Sequence, residues 1–450
     1  MKKTSFIYVM MCLGVLVQNT LYAKETPLLT DTKAYVKALK LLTDVMVSDV
    51  TGPCAAARYY AYANLAPYEI LSHNTANPKF VKLKGKLNAY PNFDDLKSTN
   101  PIAEDFAAIY SLLRMGEDLL PSGYSLENAR KELVKKVGQS GKITPQVLQA
   151  SITYADSVVK RLVKYAAKDG YVKTSGYLRY TPVNKEGYWQ PTPPAYTEAY
   201  EPHWRTLRPF VLDSAGQFKP DSAIPYSKDK NSGFYKLAKE VYDATQHLTK
   251  EQIHIANFWD CNPFFLNQKG HVSFGTKKIS PGGHWMGITG IACLQKKVNL
   301  AEAVRWHAMV GITMADAFIS CWDEKYRSNR IRPETVINQQ IDPNWRGLLQ
   351  TPPFPEYTSG HSVISSAVAT VLTHLVGDNF AYTDVVEVEF GIPQRSFKSF
   401  KQAASEAAIS RFYGGIHFKD SIDYGAKQGA NIGDFVVMKM QTLGTQSISK

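Results

Sequence analysis

Apolar residues recur at spacings of three and four along most of this 450-residue chain, and this spacing is typical of helices that bury one face. Alternation of apolar and polar residues, which would indicate strands, is scarce. The pattern therefore predicts a mostly helical protein. The predicted helices cover residues 32–47, 55–71, 104–120, 145–165, 234–249, 300–327, 361–376, 400–412 and 424–440.

An aromatic, proline-rich segment from Tyr171 to Pro225 interrupts the helical pattern. Proline stops regular structure because its ring fixes φ and removes a backbone donor. Loops of this length usually pack over a core or carry function. We therefore expect a helical part at residues 24–170, a loop region at 171–233 and a helical core at 234–450, with both helical parts in one continuous domain.

The first 23 residues have the character of a secretory signal peptide. Lys2 and Lys3 precede an apolar run from Phe6 to Val17, which is too short to span a bilayer, and Ala23 offers a small residue before a cut. We expect export to the periplasm or the medium after cleavage, and no integral membrane segment in the mature chain.

Composition narrows the classes of partner. Hydrophobic residues make up 44% and charged residues 20%, which is typical of a globular protein. The net charge of +12 favours anionic ligands, but the charges are scattered, which argues against nucleic acid. The cysteines of the mature chain lack paired metal spacing, and export permits disulfides whose pairing cannot be deduced from sequence. They are Cys54, Cys261, Cys293 and Cys321.

A first basic motif, KYRSNRIRP, closes the long helix predicted at 300–327. Lys325 and Arg332 are seven positions apart, about two helical turns, so they can face the same way if the helix continues as far as Arg332. Pro333 disfavours helix at Arg332, which indicates that Arg332 lies at a frayed helix end and points into a cleft. Solvated surface charge is the alternative for this motif taken alone.

A second motif, Ser359-Gly360-His361, directly precedes a predicted helix. Serine caps helices and leaves free backbone N–H groups, a geometry that binds anions. His361 can donate to such an anion or act as a general acid. A capped helix with an incidental histidine is the alternative.

A third motif, SRFYGGIH at 410–417, ends another predicted helix. Its glycines break the helix and fold the chain back, so that Arg411 and His417 can meet in one pocket. The alternative is that both side chains face solvent separately. The later glycines at 425, 429 and 433 follow at four-residue spacing on one helix face, which predicts close packing against a neighbouring helix.

Taken together, the cations Lys325, Arg332 and Arg411, a helix N-terminus, His361 and His417 describe a site for a tetrahedral oxyanion. His417 could attack phosphorus or serve as ligand to a metal-like centre, and His361 could protonate a leaving oxygen. The remaining candidates His284 and His307 are interpreted as ordinary core or surface residues.

The ordered motifs Lys-x6-Arg-Pro, Ser-Gly-His and Ser-Arg-x5-His resemble the superfamily that unites type-2 phosphatidic acid phosphatases, bacterial non-specific acid phosphatases and vanadium-dependent haloperoxidases. Weaker similarity to the soluble haloperoxidase-like branch extends outside the motifs. The resemblance implies an all-α fold, a helical bundle of the acid phosphatase/vanadium haloperoxidase type with long irregular loops. It also implies that His417 is the attachment point, bonded to vanadium if vanadate is bound, and that His361 is its acid–base partner. The implied holders of phosphate, or of vanadate in its place, are Lys325, Arg332, Ser359, Gly360 and Arg411.

Two aromatic positions, Trp322 and Phe354, match the chloroperoxidase side of the superfamily and are expected to line the pocket. Ordinary aromatic packing beside a pocket is the alternative.

The chain also departs from the family pattern. Thr358 stands where the family usually has proline, and Ser421 stands where an aspartate orients the attached histidine in the phosphatases. We expect Asp420, the nearest acid, to substitute for it, and Asp260 to be the partner of Arg411.

These features predict an exported enzyme of the haloperoxidase-like branch that binds vanadate and uses peroxide to oxidise a halide. The alternative within the same pocket is an acid phosphatase that needs no vanadate and cleaves phosphomonoesters through a phosphohistidine. An exported helical protein that binds glycans or lipids through the aromatic segment is an alternative of another class.

Overall fold

The computed structural model describes residues 30–74, 80–263, 265–269, 272–275 and 278–441. The signal segment predicted at residues 1–23 lies outside these ranges. The described chain is predominantly helical, which confirms the predicted fold class.

The N-terminal helices pack against one another and share one hydrophobic core with the C-terminal half. Their first member is capped by Asp31, whose side chain accepts a hydrogen bond from the Ala34 N–H. The helices are α1 (Thr32–Ser48), α2 (Pro53–Asn74), α3 (Glu104–Leu119), α4 (Glu127–Gln139), α5 (Pro145–Ala166) and the short α6 (Tyr171–Thr174).

The C-terminal helices carry the sequence motifs. They are α7 (Gly233–Gln246), α8 (Lys250–Phe258), α9 (Pro281–Gln295), α10 (Leu300–Ser328), α11 (Pro333–Gln340), α12 (Gly360–Val376), α13 (Phe400–Tyr413) and α14 (Lys419–Met440). Helix α9 was not predicted. Its own residues are mostly apolar on every face, so it lacks the one-sided pattern by which an amphipathic helix is recognised.

Two small antiparallel sheets complete the described elements. Strand β1 (Leu266–Lys269) pairs with β2 (Val272–Gly275), and β3 (Tyr382–Asp384) pairs with β4 (Arg395–Phe397). Single turns of 3-10 helix lie at Gly123–Leu126, Trp204–Thr206 and Val388–Phe390.

Helices α12 and α14 pack closely, as the glycine spacing predicted. A Cβ atom added at Gly429 would lie 2.1 Å from the Val363 carbonyl oxygen, and one at Gly433 would lie 2.6 Å from the Ala367 carbonyl oxygen. The Ser359 N–H also donates to the Ser421 carbonyl at 3.1 Å. The start of α12 is therefore fixed against the start of α14, and both ends belong to the candidate site.

The proline-rich segment packs onto the C-terminal core. The Trp189 N–H donates to the Asn329 carbonyl at 2.8 Å, and the Tyr200 N–H donates to the Pro353 carbonyl at 2.9 Å. Trp189 and Trp204 are almost completely buried. These tryptophans are therefore part of the core and do not form an open platform for stacking on a sugar.

Cys54, Cys261, Cys293 and Cys321 are all buried free thiols. Within the described ranges, no helix combines the length and the hydropathy needed to cross a bilayer.

Candidate functional site

The three sequence motifs converge on one small pocket with a cavity volume of about 50 Å³. It lies between the end of α10, the start of α12 and the turn between α13 and α14. Lys325, Arg332 and Ser359 are fully buried and adjoin its wall. The other predicted site residues that line it are Asp260, Trp322, Phe354, Gly360, His361, Arg411 and His417.

Arg332 is held in an extended conformation immediately before α11, as Pro333 requires. Its Nε donates to the Phe354 carbonyl at 2.8 Å, and its Nη1 donates to the Ile416 carbonyl at 2.9 Å and to His417 Nε2 at 3.2 Å. Burial lowers the pKa of Arg332 to about 10, which leaves the guanidinium charged at neutral pH. Its Nη2 is buried and has no hydrogen-bond partner among the described residues.

Lys325 points from the last turn of α10 into the loop before α12. Its Nζ donates to the carbonyls of Pro355 and Glu356, each at 3.1 Å, and to the Thr358 carbonyl at 2.6 Å. Lys325 therefore fixes this loop as well as contributing charge. Burial lowers its pKa to about 8, so its charge is sensitive to pH in the neutral to alkaline range.

Helix α12 begins as the second motif predicted. The Ser359 hydroxyl accepts a hydrogen bond from the Ser362 N–H at 3.4 Å, and the N-terminus of the helix faces the pocket through Gly360 and His361. Burial and the nearby charge of Arg411 lower the pKa of His361 well below its usual value, so the imidazole is neutral. Its Nε2 is buried and unpaired within the part of the chain that the structure describes.

Arg411 lies near the end of α13 and is fully buried. It donates to the Ser410 hydroxyl at 2.9 Å and to the Ala256 carbonyl at 3.2 Å. Its Nη1 lies 4.0 Å from Asp260 Oδ1, so the structure puts the predicted pair in contact. Asp260 also binds Lys278, which offsets part of its charge.

His417 follows the sharp turn at Gly415, whose φ of +76° is a left-handed conformation that glycine tolerates well. Its Nδ1 lies 2.8 Å from Glu356 Oε1, and the same oxygen accepts the Phe418 N–H at 3.0 Å. Since Arg332 donates to Nε2, the proton belongs on Nδ1 and the Nε2 lone pair faces the arginine. Burial and the surrounding cations lower the pKa of His417 well below its usual value, which keeps the ring neutral.

The expectation that Asp420 orients His417 is wrong. Asp420 Oδ1 instead accepts a hydrogen bond from Arg330 Nη1 at 2.8 Å and from the Ser421 N–H at 2.7 Å. Arg330 Nη1 also lies 3.3 Å from Glu356 Oε2, so one guanidinium joins the two acids. The carboxylate that orients the imidazole is Glu356, which comes from a different part of the chain.

Trp322 and Phe354 form an aromatic wall, with ring centroids 5.0 Å apart. The Phe354 ring also lies 5.1 Å from Lys325 Nζ and 5.0 Å from the Arg332 guanidinium carbon. The aromatic faces therefore pack against the buried cations, as cation–π contacts do. Both aromatic side chains reach the pocket, as expected from the sequence.

Sequence reasoning missed Glu356 and Arg330, although both lie within or beside the quoted motifs. Glu356 is the acid in the segment PPFPEY at 352–357, beside the second motif. The structure shows it buried in this proline-rich loop, where a carboxylate needs a partner.

The pocket is suited to an anion with several oxygens. Carbonyl groups hold the guanidinium groups of Arg332 and Arg411 in place. All three N–H groups of Lys325 donate to carbonyls, so Lys325 would exchange one of these bonds to bind an anion directly. The unpaired Arg332 Nη2 and His361 Nε2 are buried polar atoms whose isolation costs free energy until a ligand meets them. A tetrahedral oxyanion offers an acceptor to Arg332 Nη2, and it offers one to His361 Nε2 once that ring is protonated. His417 Nε2 carries a nitrogen lone pair.

The model of the VCPO second helical-bundle domain matches residues 305–445, which include all three motifs. A solved bacterial vanadium-dependent iodoperoxidase is 44% identical, with a TM-score of 0.85, and the match covers 92% of this chain and 98% of that one. A bacterial vanadium-dependent chloroperoxidase in its apo form is 18% identical, with a TM-score of 0.65 over 86% of this chain and 95% of that one. The holo form of such a chloroperoxidase gives 16% identity and a TM-score of 0.62, over 90% of this chain and 92% of that one.

No curated protein matches the sequence significantly. The fold, the site and the 44% identity over nearly the whole chain show that this protein belongs to the vanadium-dependent haloperoxidase family, within the superfamily that the motifs indicated. It is accordingly a haloperoxidase-like enzyme.

Proposed function

We propose that this enzyme holds vanadate in the pocket and uses hydrogen peroxide to oxidise a halide, with iodide as the preferred halide. The observation that carries the proposal is that two buried polar atoms without partners among the described residues, the donor Arg332 Nη2 and the unprotonated His361 Nε2, lie at the same site as His417 Nε2. Iodide is the choice because the 44% identical relative is described as an iodoperoxidase.

His417 would bind vanadium through Nε2, and the following groups would hold the vanadate oxygens: Lys325, Arg332, Arg411, Ser359 and the N–H of Gly360. When bound there, vanadate supplies a Lewis-acidic centre that activates peroxide toward a halide.

The side chains of the site would orient His417, supply positive charge and transfer a proton. Glu356 accepts the Nδ1 proton of His417 and so keeps Nε2 free of a proton. A ligand bound at Nε2 would replace the hydrogen bond that Arg332 Nη1 now donates to its lone pair. Arg332, at 3.2 Å from that nitrogen, supplies positive charge beside it. An anion in the pocket raises the pKa of His361, since opposite charges favour the imidazolium. His361 can then take up and return a proton at Nε2 during turnover.

The proposal is tested by halide oxidation with purified protein, hydrogen peroxide and vanadate. Oxidation of iodide should require added vanadate and should exceed that of bromide and chloride. His417→Ala should abolish it, while His374→Ala, a control on the far part of α12, should retain it. Absence of oxidation of every halide at saturating vanadate would contradict the proposal.

A second candidate function is hydrolysis of phosphomonoesters by the vanadate-free enzyme. The contact of 2.8 Å between Glu356 and His417 favours it, because the carboxylate makes Nε2 a better nucleophile, as the missing family aspartate would. His417 Nε2 would form a bond to phosphorus as the bond to the alcohol oxygen breaks, and His361 would protonate that oxygen. Water would then release phosphate and restore His417.

Hydrolysis of para-nitrophenyl phosphate tests this candidate. Activity should be present without vanadate and should fall as vanadate is added, because both anions would occupy one pocket. Activity that vanadate leaves unchanged would show that the hydrolysis occurs elsewhere.

We further propose export with removal of residues 1–23, on the basic start and short apolar run of that segment. The N-terminal sequence of the protein recovered from its native host tests this. An N-terminus at Lys24 is expected, and recovery of the chain beginning at Met1 in the cytoplasm would contradict it.

A further inference from the structure

A second cluster of chemically reactive side chains lies beside the pocket. It consists of Cys261, which follows α8, His284 in α9 and Glu387, which follows β3. All three side chains are almost completely buried. The sequence gives no local sign of this cluster, because its three residues are far apart along the chain and match no metal spacing.

The three donor atoms form a compact triangle. Cys261 Sγ lies 3.4 Å from His284 Nδ1 and 3.5 Å from Glu387 Oε1, and His284 Nδ1 lies 3.2 Å from the same oxygen. Zinc bonds of about 2.3 Å to sulfur and about 2.0–2.1 Å to nitrogen and oxygen put tetrahedral ligands about 3.3–3.6 Å apart. The triangle therefore has the dimensions of one face of a tetrahedral zinc site.

The second nitrogen of His284 is held in the manner of a metal ligand. Its Nε2 lies 2.8 Å from Asp384 Oδ2, and Asp384 Oδ1 accepts the Val386 N–H at 3.0 Å. The Trp259 ring stacks on the imidazole, with centroids 4.7 Å apart and planes at 21°. If Nε2–H donates to Asp384, the Nδ1 lone pair faces the sulfur and the carboxylate, as in carboxylate–histidine–zinc arrangements.

The charges also favour a divalent cation. The thiolate and the carboxylate would together neutralise the two positive charges of the ion. Neither the ion nor its two anionic ligands would then be buried without a partner of opposite charge. A thiolate with an imidazole favours zinc-like metals over magnesium or calcium, which take oxygen ligands.

We propose that Cys261, His284 and Glu387 bind a zinc-class divalent cation, with Asp384 as the positioning residue for His284. Three protein donors leave the fourth tetrahedral position for a small ligand. The ion would link three parts of the chain: the segment that follows α8, helix α9, and the turn that follows β3. Since Asp260 precedes Cys261, this link would also fix the partner of Arg411. The inference does not depend on vanadate or on the halide reaction.

Metal binding by the full-length protein tests the proposal. Protein stripped with EDTA under reducing conditions should take up one equivalent of zinc, which raises its melting temperature, whereas magnesium should not. Cobalt in place of zinc should give the near-ultraviolet absorption of a thiolate–cobalt bond. This absorption reports sulfur ligation directly and is independent of enzyme activity.

Variants identify the ligands. Cys261→Ser should abolish the thiolate–cobalt absorption, whereas Cys293→Ser, at a buried thiol in α9, should retain it. Asp384→Asn should weaken zinc binding about 10–100-fold, as loss of a carboxylate behind a ligating histidine typically does. Circular dichroism checks that each variant folds. If Cys261→Ser does not fold, Glu387→Gln provides a second test of metal binding.

Two outcomes would overturn the proposal. The first is that reduced wild-type protein does not bind zinc stoichiometrically. Cys261, His284 and Glu387 would then be joined only by hydrogen bonds. The other is unchanged cobalt absorption in folded Cys261→Ser. Neither outcome affects vanadate-dependent oxidation, so failure here is distinct from failure of the proposed function.

Discussion

Glu356 and His417 are joined by a hydrogen bond of 2.8 Å, although 61 positions separate them along the chain. The same carboxylate accepts the Phe418 N–H and binds Arg330 through its other oxygen. Glu356 thus fixes the orientation and the tautomer of the histidine proposed to bind vanadium.

Replacing Glu356 by glutamine should weaken vanadate binding about 10–100-fold, the usual effect of losing a carboxylate behind a metal-binding histidine. Asp420→Asn is the matched control, because Asp420 shares the partner Arg330 but binds its guanidinium without contacting the imidazole. It should change vanadate affinity by only a few-fold. Vanadate affinity by equilibrium titration distinguishes the two. Equal losses in both variants would mean that the charge of Arg330, not the orientation of His417, matters.

Arg411→Ala should abolish the thermal stabilisation that vanadate or phosphate confers. A ligand at about 100 times its Kd stabilises the folded state by about 2.7 kcal/mol, and this gain disappears when the ligand no longer binds. Arg395→Ala is the control, since Arg395 pairs with Glu406 outside the pocket. Melting temperatures with and without the anion give the measurement. A full rise in folded Arg411→Ala protein would exclude Arg411 from the anion site.

The affinity for the oxyanion should depend on the charge of Lys325. Because burial lowers the pKa of Lys325 to about 8, the free enzyme loses this positive charge as the pH rises through that value. Lys325→Gln should therefore weaken vanadate binding strongly at about pH 7 and much less at about pH 9. Comparing the two proteins at each pH cancels changes in vanadate itself. The same affinity ratio at both pH values would contradict a titrating lysine.

His361 and His417 should each contribute stability to the free enzyme that is lost as the pH falls below about 6.5, the usual pKa of an unfolded histidine. Burial lowers the pKa of His361 and of His417 in the folded state, so the unfolded chain binds more protons in this range. The part of the free energy of unfolding that these two histidines contribute must then fall with pH, by about 1.4 kcal/mol for each full unit of pKa difference.

Urea denaturation across this pH range measures the effect. His361→Gln should reduce the slope, and His374→Gln, at a half-buried histidine on the same helix, should reduce it less. Equal slopes in wild type and His361→Gln would show that His361 does not contribute.

Gly429→Ala should destabilise the protein by about 3 kcal/mol or more, because the new methyl group would overlap the Val363 carbonyl and push α12 from α14. Gly138→Ala in α4 is the control. Its Cβ would meet only a leucine methyl at 3.3 Å, and alanine favours the helix by about 1 kcal/mol. Thermal unfolding of both variants measures the difference. A stable Gly429→Ala protein would show that the two helices can separate without cost.

Local patterns in the sequence predicted the helical class correctly and picked out most of the residues that line or adjoin the candidate pocket. The helix predicted at 361–376 is observed as α12, from Gly360 to Val376, and Ser359 caps it as expected. Such features are local: apolar spacing, a capping serine and a proline act within a few residues of the chain. The cationic motifs could also be recognised in the sequence, because basic residues at predicted helix ends indicate an anion-binding site.

Which side chains contact one another depends on how the helices pack. Glu356, rather than the nearby Asp420, reaches His417, and Cys261, His284 and Glu387 meet although no spacing connects them. The physical reason is that a hydrogen bond or a metal site requires atoms about 3 Å apart. Distances of that size between distant segments are fixed by how helices pack, and a single sequence does not encode them in any local pattern.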